Sequence, residues 1–132
     1  MPDADANALL QAVFDAGVTF WDTAEAYICP LPDGSTKYNE TVLGDAIKAL
    51  GLPRDQLQLA TKIMPSLHGK TMTAESCIAA CQASCDRLGV ASVDLYYVHR
   101  VSTHPHALLY PQYTLNLIHP HLTPNSLIIN PL

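Results

Sequence analysis

The sequence predicts an α/β fold organised around a short parallel sheet, and three observations carry that expectation. Strand-like runs alternate with helix-period segments through the first hundred residues. Glycine closes each helical segment, at positions 17, 51 and 89. Three strand-like runs end on or beside a polar side chain, Asp22, Lys62 and His99. A helix placed between two strands carries the chain back to the same end of the sheet, which is the connection parallel pairing requires.

Each element has its own signal. Residues 6–16 place Leu9, Leu10, Val13 and Phe14 on one helical face, with Gly17 where a left-handed cap is favoured. Residues 18–22, VTFWD, are β-branched and aromatic, which predicts a short buried strand closing on Asp22. Pro30, Pro32 and the Pro32-Asp33-Gly34 turn signal predict a loop over 23–38. Asn39 suits the N-cap of a second helix with Val42, Leu43, Ala46, Ile47 and Leu50 on its inner face. Residues 57–63, LQLATKI, predict a second strand, and Thr73 a cap for a third helix bearing Cys77, Ile78, Cys81, Cys85 and Leu88. Residues 93–99, VDLYYVH, predict the third strand.

Composition narrows the function classes. The 132 residues are 48% hydrophobic and 14% charged with a net charge of −5, which suits a globular domain and argues against nucleic acid as a partner. No apolar run reaches the roughly 18 residues of a membrane-spanning helix, and the acidic start MPDADANALL lacks the basic opening of a secretory signal. A cytoplasmic location is the expectation. Cys77, Cys81 and Cys85 recur every fourth residue without a CxxC pair, so on a helix they form a stripe of small hydrophobes rather than a disulfide framework.

In a parallel sheet, strand ends 40 and 37 positions apart in sequence come to lie side by side at the carboxyl edge. Asp22, Lys62 and His99 would then share one mouth with Tyr27. A tyrosine is a poor acid at neutral pH, but an adjacent cation favours its phenolate, and Lys62 can supply that cation. Lys62 lies in an otherwise apolar strand and needs a counter-charge, which Asp22 on the neighbouring strand provides. His99 can donate a hydrogen bond to a carbonyl oxygen. The group suits protonation of that oxygen while a hydride reaches its carbon. Taken singly, Asp22 fits a turn cap, Lys62 a snorkelling strand lysine and His99 a core histidine; their joint placement at successive strand ends carries the chemical reading. Glu25 reads as a solvated loop charge, and Trp21 as core or pocket wall.

Four stretches, GVTFWDTAEAY at 17–27, NETVLGDAIK at 39–48, ATK at 60–62 and RLGVASVDLYYVHR at 87–100, together resemble the amino-terminal portion of an aldo-keto reductase. They occur in the family's order and at near-family spacing. The resemblance implies a partial (β/α)8 TIM barrel, with about three parallel strands and their crossover helices. It implies an NADP(H)-dependent oxidoreductase that reduces the carbonyl of a small aldehyde or ketone. On that pattern Tyr27 is the general acid, Asp22 and Lys62 tune it, and His99 orients the substrate. Asp22 and His99 also lie against the nicotinamide end of NADPH, and no metal is expected.

The chain departs from the family in extent. A complete barrel takes about 250 residues, and neither the family's opening strand nor the later loops that grip the pyrophosphate and 2′-phosphate have counterparts here. Ile28 stands where the family usually has glycine, and the loop over 28–38 is expanded. Residues 1–100 form the expected partial reductase domain. Residues 101–132 are a Pro/His-rich tail expected to be irregular, with five prolines, four histidines and no Lys, Arg, Asp or Glu. This break suggests that the reading frame leaves the family sequence after Arg100. The two His-Pro-His tripeptides, 104–106 and 119–121, lack a cysteine or carboxylate to complete a metal site. Two functional expectations follow: a carbonyl reductase, or an inactive fragment or binding module that associates with another barrel subunit through the open sheet edge.

Overall fold

A computed structural model describes residues 3–31, 33–68 and 72–100. Helix α1 (Asp3–Asp15) leads to β1 (Phe20–Asp22), followed by the short strands β2 (Ile28–Pro30) and β3 (Thr36–Tyr38). Helix α2 (Asn39–Leu50), β4 (Gln58–Ile63), α3 (Ala74–Leu88) and β5 (Leu95–Val98) complete the described chain, with 3-10 turns at Arg54–Gln56 and Pro65–Leu67.

The three main strands pair in parallel in the order β1-β4-β5. Trp21 lies opposite Leu59, Thr61 opposite Tyr96, and Lys62 opposite Tyr97. Because side chains alternate along a strand, this register assigns two faces. Trp21, Leu59, Ile63 and Tyr96 lie on the face beneath the helices and join Leu43, Ile47, Cys81, Cys85 and Leu88 in one core. Phe20, Gln58, Lys62 and Tyr97 lie on the opposite face. Burying one leucine of this core, such as Leu57, Leu59 or Leu88, contributes about 1.5–3 kcal/mol.

Helices α2 and α3 cross closely at Gly44, where an added Cβ would stand 2.5 Å from the Leu88 carbonyl oxygen. Helix α3 opens with a capping box: Ser76 N–H donates to Thr73 Oγ1 and Thr73 N–H donates to Ser76 Oγ. Gly51 and Gly89 end their helices in the left-handed conformation, as the sequence predicts. Cys81 and Cys85 are buried in the core, while Cys29 is exposed.

Three local expectations are corrected. Ile28–Pro30 and Thr36–Tyr38 form an antiparallel pair rather than a plain loop, with Ile28 opposite Tyr38 and Pro30 opposite Thr36. Pro30 is tolerated because it closes a two-stranded edge, where no further ladder bond demands its missing N–H. Asn39 is the first residue of α2 and not its cap; Tyr38 occupies the cap without a side-chain bond. Leu9 and Ile78, read as inner-face residues, are exposed. Residues 101–132, with both His-Pro-His tripeptides, lie outside the described residues.

Candidate active site

Parallel pairing delivers three side chains to one rim. Asp22 is the last residue of β1, Lys62 the penultimate residue of β4, and His99 follows β5 by one position. Tyr27 arrives from the connection after β1. Its N–H donates to Ala24 O at 3.0 Å, and its carbonyl accepts from Asn39 N–H at 2.8 Å.

The Lys62 ammonium is where these groups meet. Nζ is ion-paired with Asp22 Oδ2, donates to Thr23 O at 2.9 Å and reaches Tyr27 Oη at 3.4 Å. The same nitrogen stands 4.9 Å from the Tyr27 ring centroid. Lys62 is only 7% exposed, whereas Tyr27 is 42% exposed, so the phenol lies between a buried cation and solvent. The His99 ring stands edge-on to that of Tyr27, with centroids 5.3 Å apart and planes at 90°. Its backbone N–H is anchored on Ile63 O at 2.8 Å, and its Nδ1 is buried with no hydrogen-bond partner among the described residues. All four residues singled out in the sequence are therefore brought together.

The charges balance locally. Burial alone would push the Lys62 ammonium below the usual lysine range, but the hydrogen bond and charge of Asp22 more than offset it, and its pKa is raised. Lys62 is thus held as a cation beside the phenol. This follows from the strand register, which sets two opposite charges at adjacent strand ends.

Several supporting residues escaped the sequence reading. Thr23 donates its hydroxyl to Asn39 Oδ1 at 2.7 Å and its backbone N–H to Ala60 O at 2.9 Å, which fixes the carbonyl that receives Lys62. Glu25 is not a solvated charge: it is 6% exposed, accepts from Met64 N–H, and places both carboxylate oxygens 2.9 Å from His68 Nε2. Tyr97 donates its hydroxyl to Asp22 Oδ1 at 2.9 Å. Trp21, read from the sequence as core or pocket wall, is core, with Nε1–H donating to Val18 O at 2.8 Å. Glu25 could not be found from local pattern, because its partners lie 39 and 43 positions away. For Tyr97 a signal existed: it stands two residues before His99 and so shares that strand's alternation.

Behind the sheet, Glu40 is fully buried, accepting from the Thr61 hydroxyl at 2.5 Å and paired with Arg87. Its side is that of the core, away from Lys62. Among the described residues no group of three His, Cys, Asp or Glu side chains could hold a metal ion, and no helix is long and apolar enough to cross a membrane.

Comparison with known proteins agrees with this fold. Residues 1–114 match the model of the aldo/keto reductase family, a match that runs past the composition break at residue 100. An aldo-keto reductase of Mycobacterium marinum is 37% identical over 99 residues, covering 75% of this chain and 30% of that protein. A relative from Mycolicibacterium smegmatis shows the same identity and coverage. The crystal structure of an aldo-keto reductase from Klebsiella pneumoniae in complex with NADPH superposes with a TM-score of 0.57 at 33% identity, covering 78% of this chain and 31% of that one. The chain thus spans about 30% of the length of the curated relatives it matches. The fold is that of part of a (β/α)8 barrel.

Proposed function

This chain belongs to the aldo/keto reductase family, and from that premise we propose that its rim carries the proton-transfer half of an NADP(H)-dependent carbonyl reduction. The observation that supports the reading is the Lys62 ammonium, held at once by Asp22 and Thr23 O and lying 3.4 Å from Tyr27 Oη.

Tyr27 is the proton donor in this proposal. Its hydroxyl gives a proton to the oxygen of an aldehyde or ketone, and the phenolate left behind is stabilised by the Lys62 cation. Asp22 keeps Lys62 charged and aimed. His99, edge-on to Tyr27, directs the carbonyl oxygen toward the phenol. NADPH, when bound, supplies the hydride to the carbonyl carbon, so that hydride and proton together give the alcohol. The rim suits the nicotinamide end of that cofactor: His99 Nδ1 is a buried polar atom without a hydrogen-bond partner among the described residues, and the Asp22 side chain keeps 35% exposure. Asp22 and His99 would hold it there. Arg54 and Arg87 are committed to Asp94 and Glu40, so neither is assigned to the phosphates.

A fluorescence titration of the full chain with NADPH tests the reading, with saturable binding expected. Tyr27→Phe should keep that binding and lose reduction of a small aldehyde by about 100-fold or more. Unchanged turnover in that variant would remove the proton-donor role. A second reading, a non-catalytic fragment or binding module pairing with another barrel subunit, is favoured by Phe20, 55% exposed on the sheet face opposite the core. Absence of NADPH binding together with self-association in sedimentation would select it.

A further inference from the structure

We propose that Tyr97 is a positioning residue, reaching across the central strand to fix the Asp22 carboxylate against Lys62. The inference deepens the reading above, since it assigns a new residue to the same site. In the sheet order β1-β4-β5, Tyr97 and Asp22 lie on strands that do not pair. Tyr97 is in register with Lys62, so both side chains leave the same face, and the longer phenol passes over the lysine to reach Asp22 Oδ1 at 2.9 Å. One carboxylate oxygen is therefore taken by β5 and the other by β4.

The clamp answers a specific weakness. Asp22 closes an edge strand and its side chain is 35% exposed, so a carboxylate bound only by Lys62 could rotate toward water and leave a nearly buried ammonium without its counter-charge. Tyr97 removes that freedom by occupying the second oxygen. Its ring also lies 5.5 Å from Lys62 Nζ, and the Tyr27 ring lies 4.9 Å from it, so two aromatic rings stand against the cation. Burial, and then the hydrogen bond to Asp22, raises the Tyr97 phenol above its usual range, which keeps the donor proton in place.

The test reads Lys62 directly. In the 132-residue chain labelled with 13C-lysine, the four lysines are followed by NMR through alkaline pH. Tyr97→Phe keeps the ring and removes the hydroxyl, and the Lys62 midpoint should fall back toward the ordinary lysine value. Tyr96→Phe, whose buried hydroxyl has no partner among the described residues, should leave it unchanged. In an Asp22→Asn background, Tyr97→Phe should lower the midpoint by much less, because only the direct charge coupling between Tyr97 and Lys62 is left there. An unchanged Lys62 midpoint in a Tyr97→Phe protein that melts like the parent overturns the inference, as does an equal fall in the Asp22→Asn background. Should Tyr97→Phe not fold, nuclear Overhauser contacts between the Tyr97 ring and the Asp22 β-protons, on strands that do not pair, decide in the parent chain: their presence supports the clamp and their absence overturns it. The measurement needs no cofactor, so failure to bind NADPH would end the proposed function without touching this result.

Discussion

Thr23 and Asn39 are joined side chain to side chain across 16 positions of sequence, the threonine hydroxyl donating to Asn39 Oδ1 at 2.7 Å. Asn39 also donates its backbone N–H to Tyr27 O at 2.8 Å. One residue at the start of α2 thus holds both the carbonyl-bearing residue that receives Lys62 and the tyrosine that faces it.

Asn39→Ala should therefore cost about 1 kcal/mol by leaving the buried Thr23 hydroxyl without its acceptor. Urea unfolding measures the loss. Amide exchange should quicken at residues 23–27 while that of β4 stays slow, which separates a loosened connection from a weakened core.

Glu25→Ala should cost more, about 1–3 kcal/mol, because it strands the Met64 N–H and removes the acceptor facing His68. Glu25→Gln, which keeps one carbonyl oxygen, should recover part of the loss. Equal unfolding midpoints for the alanine variant and the parent would show that the pair contributes nothing.

Stability should decline in strong alkali. The Lys62 pKa is raised above 10.5 in the folded state, so its contribution is complete below 10.5 and is lost as pH climbs through the folded value. Tyr97, raised above 10.0, acts in the same direction, because the unfolded chain releases that proton first. Thermal melts between pH 8 and about 11 should show a steeper fall for the parent than for Lys62→Met or Tyr97→Phe.

Gly44→Ala should destabilise the chain by about 1–3 kcal/mol, since the new methyl would press on the Leu88 carbonyl at 2.5 Å and force α2 and α3 apart. Gly34→Ala provides the comparison: nothing lies within 4 Å of its Cβ position, and only its left-handed backbone is strained. A larger loss for Gly34 than for Gly44 would contradict the helix-crossing argument.

The sequence by itself determined the helix–strand alternation, the glycine stops and the placement of Asp22, Tyr27, Lys62 and His99 at or just past strand ends. These are local matters: side-chain periodicity, β-branching and the freedom of glycine act within a few residues and leave a pattern that can be counted. What only the tertiary structure decided was which polar groups become each other's partners. Glu25 reads as a loop charge until Met64 and His68 close over it, Glu40 draws no reading of its own until Thr61 and Arg87 reach it, and Tyr97 is not singled out until β5 settles beside β4. The pairing of Ile28–Pro30 with Thr36–Tyr38 was hidden likewise, since two three-residue strands carry too little pattern to outweigh the prolines in the sequence around them. A hydrogen bond depends on distance and angle in space, and partners separated by 21 to 75 positions acquire both only once the strands are in register.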